Sequence, residues 1–259
     1  MQGYLESAFS LEGQTALITG GGRGIGMAIA TSMAKAGANV VIWDIQAELA
    51  KETAGRIAKD YGVKAWHFCS DITRKEAIKG DVEKILSMAG NVTILVNNAG
   101  VQVRKPALEF TIDEWTRVIE THLSATFFIS QAIIPHMAAN GGGRIINLGS
   151  LNCMMAVPNI IAYTAAKSGI AGLTRSMCVE WASLGININA IAPGFVETEL
   201  TKNLFSNPEK RAWAMGRIPM KRMADPENDL GRVAVFLAAP ASSYMNGQIV
   251  YVDGGFLAS

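Results

Sequence analysis

Short apolar runs alternate with longer segments of helical periodicity along the whole chain. The runs are nearly continuous in Val, Ile, Leu and Ala, which is typical of strands covered on both faces of a sheet. The intervening segments, about 10 to 25 residues long, suit crossover helices. The pattern predicts an α/β fold with a doubly wound parallel sheet of seven strands and helices on both faces. The predicted strands are residues 15–19, 40–43, 65–69, 94–96, 144–148, 186–192 and 249–252.

A glycine-rich loop follows the first predicted strand. It has the sequence TGGGRGIG at residues 19–26, and a helical pattern over residues 27–36 begins directly after it. In sheets of this kind, ligands bind beyond the carboxyl ends of the strands. Glycine allows a tight turn and lets backbone amides approach a pyrophosphate that faces the helix N-terminus. The loop therefore predicts a nucleotide site, although glycines here also suit a turn without a ligand.

Asp44 ends the second predicted strand, eighteen residues after Gly26. A carboxylate at this position can accept hydrogen bonds from both hydroxyls of an adenosine ribose, and it would repel a 2'-phosphate. We therefore expect NAD to be preferred over NADP. Two features leave alternatives open. Asp44 could instead cap a helix that begins near Ala47, and Arg23 in the glycine loop could meet a 2'-phosphate.

Tyr163 and Lys167 are four residues apart in a run, residues 161–184, that is predicted to be helical. This spacing places both side chains on one face of the helix, about 5–6 Å apart at their Cβ atoms. A fixed ammonium group lowers the pKa of a phenol, and an oxidised nicotinamide ring would add a second positive charge. The pair predicts a tyrosine general acid/base. Its alternative is an ordinary solvated pair on a helix surface.

Composition narrows the functional classes. Of the 259 residues, 49% are hydrophobic and 17% are charged, and the net charge is +1 with no Lys/Arg-rich run. These values favour one folded domain over residues 1–259 and a small-molecule ligand, and argue against nucleic-acid or anionic-membrane partners. Three separated cysteines indicate neither disulfides nor a metal site. No apolar stretch reaches about 18 residues, so we expect a cytoplasmic protein without a membrane span.

Several motifs, in order and in register, resemble those of the short-chain dehydrogenase/reductase family over nearly the whole chain. The similarity runs from the glycine loop to Val252-Asp253-Gly254-Gly255. The strings AGVQVRKP at residues 99–106 and NPEKRAWAMGRIP at residues 207–219 are similar to those of the branch that contains gluconate 5-dehydrogenase and 2-deoxy-D-gluconate 3-dehydrogenase. The matching motifs between these ends are Asp71 after the third strand, Asn97-Asn98-Ala99-Gly100 after the fourth, Ser150 after the fifth, the Tyr163/Lys167 pair, and Pro193-Gly194 with Thr198.

The resemblance implies a Rossmann-type fold, a homotetramer, and hydride transfer between a nicotinamide and a secondary alcohol or ketone. It also implies that Ser150 orients the substrate oxygen, Tyr163 transfers the proton, and Lys167 lowers the tyrosine pKa and holds the nicotinamide ribose. For Ser150, the alternative is ordinary turn chemistry at a strand end. The implied cofactor residues are Gly20, Gly22, Arg23, Gly24, Ile25, Gly26, Asp44, Asp71, Ile72, Asn98, Ala99, Gly100, Tyr163, Lys167, Pro193, Gly194, Val196 and Thr198.

One residue departs from the family pattern. Relatives carry an asparagine, part of a water-linked proton path from the lysine, where this chain has His122. Histidine donates and accepts hydrogen bonds and titrates near neutrality, so we expect a relay with altered pH dependence. The alternative is a packed helix histidine whose ring is satisfied locally.

Substrate specificity is expected to depend on the segments after strands four, five and six. Residues 197–225 contain Pro208 and Pro219, are followed by Pro226, and have mixed charge; they are predicted to form an irregular substrate lid. Arg104 is a candidate for a substrate carboxylate, or else a surface arginine. Asn152 and Cys153 are expected to line the substrate pocket, with Cys153 as a small apolar wall.

These features favour an NAD-dependent dehydrogenase of a sugar acid or polyol. Two alternatives remain open. One is a 3-oxoacyl-carrier-protein reductase, which would favour NADP and a basic docking patch. The other is a nucleotide-binding family member without turnover, which only His122 favours. The apolar segments 125–134 and 170–184, together with the tail 255–258, are expected to be buried between subunits.

Overall fold

All seven predicted strands form one parallel sheet in the computed structural model, which describes residues 2–198 and 206–259. The strand order is β3-β2-β1-β4-β5-β6-β7, so the direction of winding reverses between β1 and β4. The predicted fold class is confirmed, and each predicted strand end lies within one residue of the observed one. The strands are β1 Thr15–Thr19, β2 Asn39–Asp44, β3 Ala65–Cys69, β4 Ile94–Asn97, β5 Gly143–Leu148, β6 Ile186–Pro193 and β7 Ile249–Val252.

Helices cover both faces of the sheet. Helices α2, α3 and α9 pack on one face, and α4, α6 and α7 pack on the other. A π-helical segment, Glu120–Ser124, joins α5 to α6 without a break. The helices are α1 Gln2–Phe9, α2 Gly24–Lys35, α3 Ala47–Tyr61, α4 Lys75–Ala89, α5 Ile112–Ile119, α6 Ala125–Ala139, α7 Ile161–Trp181, α8 Pro208–Arg217 and α9 Arg232–Ala238.

Strands β1, β2 and β4 are mostly apolar because successive residues enter two different cores. Ile18 of β1 packs in the core of α2, α3 and α9, whereas its neighbour Leu17 packs in the opposite core. The edge strands differ. Both β3 and β7 are only partly covered. The expectation that every strand is covered on both faces is therefore wrong at the sheet edges, where each strand has a neighbour on one side only.

The predicted lid segment is more regular than its sequence indicates. Residues 199–205 lie outside the described part of the chain, but Pro208–Arg217 forms α8. The Asn207 side chain accepts hydrogen bonds from the backbone amides of Glu209 and Lys210, and Pro208 stands at the helix start, where its missing N–H costs nothing. The description of residues 197–225 as irregular is therefore wrong for this part.

The carboxyl-terminal tail packs within its own chain. Phe256 is only 2% exposed and contacts Leu151 and Ile218, so this side chain is buried without a partner subunit. The tail was expected to be buried between subunits, but contacts within the chain already account for the burial of Phe256. No helix in the described ranges is long and apolar enough to cross a membrane.

Candidate active site

A cavity of about 670 Å³ lies at the carboxyl ends of the strands, where the winding reverses between β1 and β4. It brings together most of the residues singled out in the sequence. Gly22, Gly26 and Cys153 do not line it. The predicted residues that do line it are Gly20, Arg23, Gly24, Ile25, Asp44, Asp71, Ile72, Asn98, Ala99, Gly100, Arg104, His122, Ser150, Asn152, Tyr163, Lys167, Pro193, Gly194, Val196 and Thr198.

The glycine loop shapes the cavity through close backbone contacts. A Cβ atom on Gly26 would lie 2.2 Å from the Gly20 carbonyl oxygen and 2.4 Å from Nδ2 of Asn98, so only glycine fits. Asn98 donates hydrogen bonds from Nδ2 to the carbonyls of Thr19 and Gly20, both at 3.0 Å. Gly26 thus allows the loop to close, whereas Gly20 and Gly24 line the cavity.

The start of α2 suits a pyrophosphate. This helix begins at Gly24, and the side chain of its N-cap residue, Arg23, makes no capping hydrogen bond. The first backbone N–H groups of a helix have no partner within it and carry partial positive charge. The loop and helix start therefore fit the phosphates of a dinucleotide.

Asp44 ties the end of β2 to the glycine loop. Its side chain is 8% exposed, with Oδ2 accepting from the Gly22 amide and Oδ1 from the Gln46 amide, both at 3.0 Å. The N-cap residue of α3 is Gln46, so the alternative that Asp44 caps this helix is wrong. A Cβ on Gly22 would lie 2.9 Å from Oδ2, which explains the glycine there. Each Asp44 oxygen retains acceptor capacity for a ribose hydroxyl.

Ser150 follows β5 and is held by the short turn Leu151–Cys153. Its Oγ accepts from the Asn152 amide and donates to Asn152 Oδ1, both at 3.2 Å. The Cys153 thiol donates to the Lys167 carbonyl at 3.0 Å, and burial raises its pKa. The prediction that Cys153 lines the substrate pocket is therefore wrong, because the thiol turns towards the backbone of α7.

Tyr163 and Lys167 lie on one face of α7, as predicted. The Lys167 Nζ atom is 5.6 Å from the Tyr163 ring centroid and donates to the Leu148 carbonyl at 2.5 Å. Burial lowers the pKa of Lys167 to about 8.

The pKa of Tyr163 shifts opposite to the predicted lowering. Burial raises it, because a phenolate is poorly solvated there, and a hydrogen bond with Ser150 opposes the rise. In the protein alone, desolvation thus outweighs the hydrogen bond with Ser150, and the Lys167 ammonium donates its hydrogen bond to the Leu148 carbonyl.

His122 is 5% exposed and lies in the π-helical segment. Its Nε2 is 2.7 Å from the Val101 carbonyl oxygen and 3.1 Å from the Val101 amide, and its Nδ1 is buried with no hydrogen-bond partner. A Cβ on Gly100 would lie 2.4 Å from Cε1 of the ring, so this glycine makes room for the histidine. The ring is therefore satisfied locally at one nitrogen only.

The imidazole of His122 does not titrate near neutrality. Burial, together with the Lys167 charge, lowers its pKa to about 3. This pKa contradicts the expectation of a charge change near pH 6.5, because a charged imidazole is poorly solvated at this buried position and is repelled by the Lys167 ammonium. The shorter contact, from Nε2 to the Val101 carbonyl, favours the tautomer with the proton on Nε2, and in that tautomer the buried Nδ1 is an acceptor without a partner among the described residues.

Sequence reasoning missed several lining residues. Arg117 and Thr121 line the cavity one helical turn apart, a spacing that could have revealed them once His122 was placed on this helix. The apolar wall comes from the segment between β5 and α7 and from Phe195 after β6, and neither segment has a periodic sequence pattern that would indicate it. The missed residues of this wall are Leu151, Met155, Val157, Ile160 and Phe195.

Three arginines contribute positive charge to the cavity lining. They are Arg23, Arg104 and Arg117, and none of the three pairs with a carboxylate within residues 2–198 and 206–259. Burial lowers the pKa of Arg104. Guanidinium groups without a counter-charge suit anionic ligands.

A parallel sheet with a glycine loop, an acidic residue after β2 and adjoining serine, tyrosine and lysine side chains defines a nicotinamide-dependent oxidoreductase. Residues 20–257 match the family model described as "Enoyl-(Acyl carrier protein) reductase". The chain belongs to the short-chain dehydrogenase/reductase family and is an oxidoreductase of that family.

Relatives with established names cover almost the whole chain. It is 40% identical over 253 residues to 5-keto-D-gluconate 5-reductase of Escherichia coli K12, covering 98% of this chain and 99% of the relative. It is 39% identical to gluconate 5-dehydrogenase of Gluconobacter oxydans, covering 97% of each. A solved gluconate 5-dehydrogenase from Burkholderia cenocepacia, in complex with NADP and tartrate, is 38% identical with a TM-score of 0.94, covering 98% of this chain and 99% of that one.

Proposed function

We propose that this protein is an NAD-dependent dehydrogenase that interconverts a secondary alcohol and a ketone on a sugar acid. The observation that carries the proposal is the meeting of Ser150, Tyr163 and Lys167 in one cavity with Arg104, whose guanidinium pairs with no carboxylate in the described part of the chain. The first three supply proton transfer to a substrate oxygen, and the arginine supplies recognition of a carboxylate. The names of the E. coli and Gluconobacter relatives support this substrate class.

In the proposed reaction, Tyr163 exchanges a proton with the substrate oxygen while Ser150 donates a hydrogen bond to it. A bound nicotinamide supplies the hydride acceptor or donor at C4. The raised pKa of Tyr163 in the protein alone suits a phenol that acts as an acid in ketone reduction. For alcohol oxidation, the Lys167 ammonium and the charge of an oxidised cofactor favour the phenolate.

Lys167 has a second proposed role. Its pKa of about 8 keeps most of the side chain charged at neutral pH, and its Nζ is directed to the Leu148 carbonyl at the end of β5. An ammonium has three donors, so two remain for the ribose hydroxyls of a nicotinamide nucleotide. His122, with its neutral ring and free Nδ1 acceptor, is proposed to hold a hydrogen bond of the proton path rather than to carry charge.

The proposed preference for NAD rests on Asp44. Its carboxylate reaches the cavity beside Arg23, and a 2'-phosphate there would meet a like charge. Arg23 works in the opposite direction, and the Burkholderia structure contains NADP. The preference is proposed because Asp44 is buried and fixed by two amide hydrogen bonds, whereas Arg23 makes no capping bond.

We also retain the predicted homotetramer as a proposal. Ile112 on α5 and Val179 on α7 are each more than four-fifths exposed, at 83% and 85%, and both helices belong to the segments flanking the site. Apolar side chains exposed to this extent suit an interface between copies of the chain. Sedimentation velocity tests it, and a monomer at micromolar concentration would refute it.

The deciding experiment measures turnover of gluconate, neutral polyols and a 3-oxoacyl thioester, each with NAD and with NADP. The proposal expects the highest kcat/KM for a sugar acid with NAD. Preference for the thioester with NADP would support a 3-oxoacyl-carrier-protein reductase. Cofactor binding without turnover of any of these compounds would support a family member without catalysis.

A further inference from the structure

The turn that follows Ser150 is fastened to the helix that carries Tyr163 and Lys167. Asn152, which is 7% exposed, donates from Nδ2 to Thr164 Oγ1 at 2.9 Å. Ser168, one helical turn further along α7, donates from Oγ to the Asn152 carbonyl at 3.0 Å. Both ends of this asparagine are therefore tied to α7, although it was expected to serve as a substrate residue.

The orientation of the Asn152 amide follows from its partners. Nδ2 lies 3.4 Å from the Met155 carbonyl oxygen, which only accepts hydrogen bonds, so the amino group must face that side. The amide oxygen then faces Ser150, whose hydroxyl donates to it at 3.2 Å. The Asn152 backbone amide also donates to Ser150 Oγ, so the serine is held by one residue in two ways.

This arrangement determines where the Ser150 proton points. A hydroxyl has one proton and can donate one hydrogen bond, and in this structure Asn152 Oδ1 accepts that bond. The Tyr163 oxygen is the competing acceptor: Ser150 lowers the tyrosine pKa, as a hydroxyl proton turned towards the phenolate would do. During hydride transfer, the same hydroxyl must donate its hydrogen bond to the substrate oxygen, where the bond stabilises developing negative charge.

We propose that Asn152 is a positioning residue: its side-chain amide holds the Ser150 hydroxyl proton away from Tyr163 until a substrate oxygen takes it. The serine hydroxyl then rotates from Asn152 Oδ1 to the substrate, no covalent bond breaks, and the backbone amide of Asn152 keeps Oγ in place. This inference rests on the proposed hydride transfer, but it concerns the hydroxyl of Ser150 and not the identity of the substrate.

The first test is a double-mutant cycle on kcat. Asn152→Ala should lower kcat about tenfold to a hundredfold and change KM by no more than a few fold, because the reacting groups are misaligned while binding contacts persist. If Asn152 acts through Ser150, the Ser150→Ala variant and the Ser150→Ala/Asn152→Ala variant should have equal kcat. An undiminished effect of Asn152→Ala in the Ser150→Ala background would overturn the proposal and indicate direct substrate contact or general support of the fold.

The second test needs no substrate. The pH titration of the Tyr163 phenolate is followed by ultraviolet absorbance, as the difference between each protein and its Tyr163→Phe counterpart. In Asn152→Ala the serine proton is released to the tyrosine oxygen, so the Tyr163 pKa should fall below its wild-type value. The fall should disappear in the Ser150→Ala background. A pKa that stays constant, or a fall that persists without Ser150, would contradict the proposal.

Matched controls separate positioning from stability. Ser168→Ala removes only the bond to the Asn152 carbonyl and should leave kcat near the wild-type value. Thr164→Val removes the outer partner of Nδ2 and should lower kcat less than Asn152→Ala, and Thr164→Ser should restore it. Melting temperatures on the same variants identify unfolding. Failure to oxidise sugar acids would refute the proposed substrate, while the phenolate titration would still decide the role of Asn152.

Discussion

The imidazole of His122 meets the phenol ring of Tyr163 edge to face, with ring centroids 5.2 Å apart and planes at 88°. The two residues come from different helical segments, the π-helical turn and α7. Edge-to-face contact is a favourable geometry for aromatic rings, and here it places a neutral histidine beside the proposed acid/base. His122, which replaces the asparagine of the family pattern, is therefore in direct contact with the proposed acid/base, Tyr163.

The pH dependence of turnover should show no limb from His122 near pH 6.5, because burial holds its pKa at about 3. His122→Asn should therefore leave the shape of the pH–rate profile between pH 5.5 and 8 unchanged, with the pH window set by an unperturbed histidine pKa of about 6.5. A limb near neutrality in the wild type that this substitution removes would contradict a buried neutral ring.

Stability should nonetheless depend on His122 below neutral pH. The folded protein keeps the ring neutral down to about pH 3, whereas the unfolded chain binds a proton below its ordinary pKa. The free energy of unfolding then falls as pH drops, by up to about 1.4 kcal/mol per unit for this one group below pH 6.5. His122→Asn should flatten this dependence in urea unfolding between pH 6.5 and 4.5. An equally steep dependence in both proteins would mean that other groups cause it.

Replacing Tyr163 with Phe should remove nearly all turnover and leave nucleotide affinity within a few fold. The ring and its contact with His122 remain, and only the proton-transferring oxygen is lost. Steady-state rates test the loss of turnover, and equilibrium binding of the cofactor tests the retained affinity. Retention of more than about a tenth of the wild-type rate would exclude Tyr163 as the acid/base.

Asp44→Ala should weaken NAD binding by about 1–3 kcal/mol and narrow the difference from NADP, since two hydroxyl contacts and one repulsion disappear together. The change also frees the Gly22 and Gln46 amides. Asp44→Asn removes the charge and keeps the size, and it retains one of the two backbone hydrogen bonds because its amide nitrogen cannot accept one. Cofactor titrations measure both affinities. A wild-type preference for NADP would contradict this role of Asp44 and would indicate that Arg23 binds the 2'-phosphate.

Arg104→Ala should raise KM for a sugar acid about tenfold or more and leave KM for a neutral polyol unchanged, because only the first substrate has a carboxylate. Arg104→Lys should recover part of the affinity, since lysine keeps the charge without the two-pronged geometry. Initial rates on matched acid and polyol substrates test this. Equal effects on both would show that Arg104 does not distinguish the carboxylate.

The sequence by itself determined the order and type of the main elements. Strands such as Thr15–Thr19 are recognisable because a strand between two helical layers must be apolar on both faces. The resulting apolar run is visible in the sequence of the strand itself. The spacing of Tyr163 and Lys167 and the glycine loop were equally readable, since helix period and turn conformation depend on neighbouring residues. The edge strands β3 and β7 and helix α8 were less predictable, because coverage and proline position depend on context.

Only the tertiary structure decided what the side chains at the site do. The pKa shifts of His122 and Tyr163 reverse the sequence-based expectations because desolvation depends on atoms from distant segments. Cys153 turns away from the cavity and Asn152 turns towards Ser150 because α7 offers each of them a hydrogen-bond partner. Sequence spacing specifies which residues can share a helix face, but the solvation of a charge and the direction of a hydroxyl proton follow from the packing of separate elements.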